Sequence, residues 1–136
     1  MKARHILETV IYCEDLVAAK HFYADLLGLE LFREADHYLG FRLSRSLLLV
    51  FDPRLSRRSD RPLPSHGTES NAHIAFSATQ QEILQWQTHL EKHNVKIERE
   101  HEGTSLYVRD PAGNLVEFNQ PTDWGIEWDF TEEKFE

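Results

Sequence analysis

Residues 47–53 read LLLVFDP, and residues 115–121 read LVEFNQP. Each is an apolar run that stops at a proline after the same number of residues. A proline cannot donate to a strand ladder, so each run reads as a strand with a hard end. Working backwards from each gives the same series. LELFRE (29–34) and VKIERE (95–100) fill one slot. HYLGFRL (37–43) and TSLYVR (104–109) fill the next, and the second is followed by a tight turn at Asp110-Pro111-Ala112-Gly113. Before these come two helical patterns. In LVAAKHFYADLL, residues Leu16, Ala19, Phe22, Tyr23, Leu26 and Leu27 recur at helical spacing, with Asp15 as N-cap and Gly28 as the left-handed stop. In QQEILQWQTHLEKHN, residues Ile83, Leu84, Trp86 and Leu90 form the stripe, interrupted by Gln87. ILETVIYC (6–13) and AHIAFS (72–77) open the two series as strands.

The order strand, helix, strand, strand, strand thus occurs twice, and such duplication governs the fold. The expectation is α+β: two βαβββ modules forming a curved mixed sheet around a cavity. Module one spans 5–53, a linker loop 54–71, module two 72–121 and a C-terminal tail 122–136. The stretch 53–71 holds three of the five prolines and four arginines, and reads as a long loop of the kind that closes over a site. The tail carries Trp124, Trp128, Phe130 and Phe135 among acids, and reads as an arm packing on the domain or on a partner subunit.

Composition narrows the function. The chain has 136 residues, the size of one domain. Its 15 Lys and Arg against 23 Asp and Glu give a net charge of −8, which disfavours nucleic acid as partner. The apolar runs are short of a membrane span, and the first residues lack a signal-peptide pattern, so the expected location is cytoplasmic. One cysteine, Cys13, excludes an internal disulfide and reads as a small buried hydrophobe.

Superposing the modules puts Glu8 opposite His73, and Leu49 opposite Glu117. Strand alternation then carries 8, 49, 73 and 117 on faces that should look inward. A carboxylate among Leu115, Val116 and Phe118 is unusual. Taken alone it suits an edge strand with a wet face. One His and two carboxylates at equivalent slots of a repeat suit a divalent metal with open coordination positions. A cation also offsets the cost of burying carboxylates. His89 and His93 stand four residues apart on the second helix, but Leu90 replaces the Glu of the HExxH protease motif, and they read as surface residues. His66 reads as a residue of the closing loop. Arg54, Arg57, Arg58 and Arg61 read as a solvated loop, or as a clamp for a substrate's anionic end.

The segments ETVIYCEDLVAAKHFYADLLGLEL, AHIAFSA and LYVRDPAGNLVEF resemble the glyoxalase, bleomycin-resistance and extradiol-dioxygenase superfamily, the vicinal oxygen chelate proteins. The resemblance covers about residues 5–121. It implies paired βαβββ modules around a metal cavity, often built between two subunits of a homodimer. It places metal ligands at Glu8, His73 and Glu117, with Glu8 or Glu117 serving as base. It also points Tyr107 into the cavity; Leu49 and, from the charged loop, Arg54 are the further substrate-binding candidates. The family's first-strand ligand is commonly His or Gln, and glyoxalases carry a further Glu at the slot of Leu49. The implied activity is a glyoxalase-like lyase or isomerase, acting on a small oxygenated substrate chelated to Ni, Mn, Zn or Fe. The alternatives are a ring-cleaving dioxygenase, or a small-molecule-binding resistance protein that breaks no bond.

Overall fold

The computed structural model describes residues 1–2, 5–100 and 104–124, the side chains of 99, 100, 123 and 124 excepted. The chain divides into two compact units, one from Met1 to Ser70 and one beginning at Asn71.

The first unit runs β1 (Glu8–Tyr12), α1 (Leu16–Lys20), a π-helical turn (His21–Leu26), β2 (Glu30–Glu34), β3 (Tyr38–Arg42), β4 (Leu47–Phe51) and α2 (Pro53–Ser56). Its sheet has the order β1-β4-β3-β2, with β1 parallel to β4 and the other pairs antiparallel. Asp15 caps α1 as expected, its carboxylate accepting the Ala18 N–H at 3.0 Å. Gly28 adopts φ 74°, the left-handed stop. The expected continuous α-helix over 16–27 is instead α-helix followed by π-helix, and the Leu27 N–H reaches back to the Phe22 carbonyl at 3.0 Å. The packing still selects the expected stripe, for Ala19, Phe22, Tyr23 and Leu27 are buried. Ile11, Leu39, Phe41, Leu48 and Val50 complete that core. Alternation leaves the opposite face of the sheet open.

The second unit repeats the plan with β5 (His73–Ser77), α3 (Gln80–Lys92), β6 (Arg99–Glu100), β7 (Ser105–Arg109), β8 (Leu115–Asn119) and a 3-10 turn (Pro121–Trp124). Its sheet order is β5-β8-β7-β6, again with one parallel pair, β5 with β8. Thr79 and Glu82 form a capping box that starts α3. Trp86 of α3 stacks on Phe118 with ring centroids 4.7 Å apart, and Ile83, Leu90, Val108 and Val116 are buried with Phe118.

The α+β plan of two βαβββ modules is as expected, with one four-stranded sheet per unit. Three details differ from the sequence reading. The start of the expected linker loop is helical, because Asp52 caps Pro53–Ser56 and a proline suits a first helical turn. The strand expected over 95–100 is described only at Arg99–Glu100. Finally, β8 is an inner strand between β5 and β7, so Glu117 does not lie on a wet edge. The tail beyond residue 124 lies outside the described residues.

Candidate active site

The open face of the second sheet is set by its register. Ala75, Glu117 and Tyr107 stand side by side across β5, β8 and β7. His73 and Leu115 occupy the next row, and Ser77, Asn119 and Ser105 the row beyond. Neighbours Val116 and Phe118 point the other way, into the core, so alternation aims Glu117 away from α3.

The His73 Nε2 lies 3.2 Å from Glu117 Oε1. The Glu117 side chain is 7% exposed and that of His73 50%. On its other side, His73 Nδ1 lies 3.2 Å from the Leu115 carbonyl. A carbonyl only accepts, so Nδ1 donates in this contact, and Nε2 stands within reach of a carboxylate oxygen. Metal-binding histidines are held in this way, by a second hydrogen bond that fixes tautomer and ring angle. Tyr107 stacks on the imidazole with centroids 6.4 Å apart and planes at 23°. The buried Asn119 Oδ1, two residues beyond Glu117, has no hydrogen-bond partner among the described residues.

The turn between β7 and β8 keeps this arrangement in register. Asp110 accepts the N–H groups of Ala112 and Asn114 and one proton from the Asn114 amide. The Asn114 Oδ1 in turn accepts the Ala72 N–H at 2.7 Å. Ala72 immediately precedes His73, so the turn fixes the strand that carries the imidazole. The DPAGN sequence therefore has a positional task as well as a turning one.

On the first sheet, the open face carries Glu8 beside Leu47, then Val10, Leu49 and Gly40, then Tyr12, Phe51 and Tyr38. Glu8 lies on the outer strand and is exposed. Leu49 is half-buried in the centre. His66, from the segment after α2, returns to this face. Its Nδ1 lies 2.8 Å from the Tyr12 hydroxyl, and its ring meets Phe51 edge-on at 4.6 Å. Burial, then the Arg61 charge, lowers the His66 pKa, while Glu8 opposes both. Burial raises the Tyr12 pKa.

The structure thus brings His73, Glu117 and Tyr107 together, and places Glu8, Leu49 and Arg54 in the other unit. Among the described residues, no group of three His, Cys, Asp or Glu side chains forms a metal site. The four arginines between 54 and 61 are engaged within the first unit, and Arg54 also donates to the Glu14 carbonyl at 3.1 Å. Arg54 holds Asp52 through Nε and Nη2, and its hydrogen bonds keep the Asp52 carboxyl below its usual range. Arg57 binds the Pro53 carbonyl and Glu69, Arg58 binds Asp60, and Arg61 binds the Ser56 and Pro64 carbonyls. The histidine pair on α3 has ring centroids 4.5 Å apart.

Sequence reasoning missed the Tyr12–His66 contact, whose partners lie far apart in the chain. It also missed a group around Phe32. There β2 bulges between Leu31 and Arg33, and the Phe32 ring lies against Gly40 of β3. A glycine inside a strand pattern is the signal that marks such close approach.

Among the described residues, no helix is long and apolar enough to cross a membrane. The family model of the glyoxalase/bleomycin resistance protein/dioxygenase superfamily matches residues 5–118. Comparison with curated protein sequences gives no match. Among solved structures, a lactoylglutathione lyase from Agrobacterium tumefaciens is 37% identical over 93% of this chain and 100% of its own, with a TM-score of 0.87. A glyoxalase/bleomycin resistance protein/dioxygenase from Nocardioides is 17% identical, covering 100% of this chain and 91% of its own, at TM-score 0.69. An antibiotic-binding protein, TnmS3 from Streptomyces sp. CB03234, is 18% identical over 89% of this chain and 98% of its own, at TM-score 0.66. The two lower likenesses concern the fold alone. The matched segment takes in both βαβββ units, from before β1 to within β8, and on that span the chain belongs to the glyoxalase/bleomycin resistance protein/dioxygenase superfamily.

Proposed function

We propose that the protein is a metal-dependent glyoxalase-type lyase or isomerase that takes a small substrate with two neighbouring oxygens. The observation that carries the reading is the His73 ring, whose Nδ1 meets a carbonyl while Nε2 faces the buried Glu117 carboxylate. A buried carboxylate whose recorded partner is a half-exposed imidazole suits a cation better than it suits a core. Imidazole nitrogen and carboxylate oxygen are ligands that nickel, manganese, zinc and iron accept.

His73 and Glu117 would hold the metal, with Glu8 as third ligand. When bound, the cation would supply Lewis-acid polarisation of the substrate's two oxygens. The chain's own residues do the rest. A carboxylate, Glu8 or Glu117, accepts a carbon-bound proton and returns it to the adjacent carbon. Leu49 and Tyr107 provide apolar walls, which favour proton transfer within the site over exchange with water. The lactoylglutathione lyase at 37% identity supports a thioester such as lactoylglutathione as the first substrate to test.

We further place Glu8 of one subunit beside His73 and Glu117 of its partner in a two-fold homodimer, each dimer holding two sites. A cytoplasmic location accords with this small-molecule chemistry.

The test is metal analysis of the purified protein, with turnover of lactoylglutathione and oxygen uptake measured on the same sample. Stoichiometric nickel, manganese or zinc with turnover and no oxygen uptake is the expected result. Iron with oxygen uptake would replace this reading by ring cleavage. Absence of stoichiometric metal would replace it by a binding function.

A further inference from the structure

Arg33 and Arg42 differ from the arginines between 54 and 61. Those four, Arg54 of α2 included, are engaged by carboxylates or carbonyls of the first unit. Among the described residues, neither the Arg33 nor the Arg42 guanidinium has an ion-pair or hydrogen-bond partner. Instead both guanidinium carbons lie against one ring, that of Phe32, at 5.7 Å and 5.2 Å from its centroid. Glu30 stands opposite Arg42 across β2 and β3 without an ion pair to it, and in a chain with a net charge of −8 two guanidinium groups gathered on one ring are an exception.

The backbone is adapted to this. Leu31 pairs with Phe41, whose side chain is buried, yet Arg33 pairs with Gly40 on the opposite face. The bulge at Phe32 produces that change of face. Gly40 then supplies a bare floor. A Cβ there would stand 3.1 Å from Phe32 Cε1 and 3.4 Å from Arg33 Cβ. Arg42 lies on this same face, in the row Glu8, Leu47, Arg42, Glu30 across β1, β4, β3 and β2. The strand spacing puts Arg42 and Glu8 backbones roughly 10 Å apart.

We propose that Phe32, Arg33 and Arg42, over the floor of Gly40, form an anion subsite for a carboxylate carried by the substrate. The ring's electron-rich face attracts the guanidinium groups, and their planar N–H donors match a carboxylate. The inference deepens the function proposed above and rests on it for the word substrate.

The experiment is an NMR titration that follows the arginine Nε–H signals, using glutarate as probe and glutaramide as its neutral counterpart. Glutarate is expected to give saturable shifts at Arg33 and Arg42, with affinity about tenfold above that for glutaramide. Salt should reduce that preference. The double variant Arg33→Gln/Arg42→Gln should lose it, and Arg58→Gln should keep it. Equal response to both probes, no saturable response to glutarate, or an unchanged response in the double variant would overturn the proposal. Glu117→Ala separates the two ideas. If it alters turnover and metal but leaves the glutarate response intact, each stands on its own result; if metal is never bound yet glutarate binds, only the metal reading falls.

Discussion

The hydroxyl of Tyr12, in the first strand, meets Nδ1 of His66, in the segment after α2, at 2.8 Å. This contact ties a proline-rich stretch to the open face of the first sheet. It also makes that attachment sensitive to acid. Burial, then Arg61, holds the His66 pKa below 6.5, with Glu8 acting in the opposite sense. An unfolded chain therefore binds a proton that the folded one resists. The His66 contribution is complete above about pH 6.5 and is lost as pH falls through the folded value. Urea midpoints measured from pH 7.5 to 5 should fall more steeply for the wild type than for His66→Gln. Parallel curves would count against the contact.

Glu117→Gln keeps volume and removes charge. Metal affinity should fall at least about tenfold, on the scale seen when metal-site polar groups are lost. In chelator-treated samples the variant should be more stable than the wild type by about 1 kcal/mol, since a buried carboxylate is gone. Calorimetric metal titration and thermal melts check the two halves separately.

Asn114→Ala removes the acceptor of the Ala72 N–H and the donor to Asp110. One buried and one part-buried hydrogen bond are lost, at a cost of about 2–3 kcal/mol. The β5 strand then loses its anchor immediately before His73. A shift in the His73 imidazole resonances should accompany the loss of stability, whereas a purely local turn effect would leave them in place.

Gly40→Ala places a methyl group against the Phe32 ring. The ring must shift by a few tenths of an ångström, which costs about 1 kcal/mol. Denaturant unfolding measures this, and the Arg33 and Arg42 signals should move in the same variant.

A mixture of Glu8→Ala and His73→Ala chains tests the dimer. With sites shared between subunits, each mixed dimer regains one intact site and part of the metal bound by the wild type. Recovery of no metal on mixing would show that each chain keeps its own ligands.

The repeat was open to reading because both units spell their strands with the same periodicity and stop at the same proline. His73 and Glu117 followed from it, since a two-residue alternation fixes which side chains share a face. Phe32 and Arg33 did not follow. A bulge breaks that alternation by one residue, and nothing in LELFRE marks where. The arginines near Pro53 drew attention because they are dense in sequence, yet density proved to mean mutual engagement with Asp52, Asp60 and Glu69. Arg33 and Arg42 are separated by a hairpin, and only strand pairing gathers them.

The π turn at His21–Leu26 has a bearing on descent. Such a turn holds one residue more than the α turn it stands in for. The surplus sits between a helix start fixed by Asp15 and an exit fixed by Gly28. Kindred chains one residue shorter here can close the turn as ordinary α-helix and still enter the following strand at the same place. Length variation inside this helix would then leave no trace in the sheets, and alignments of relatives should carry their gap at residues 21–26.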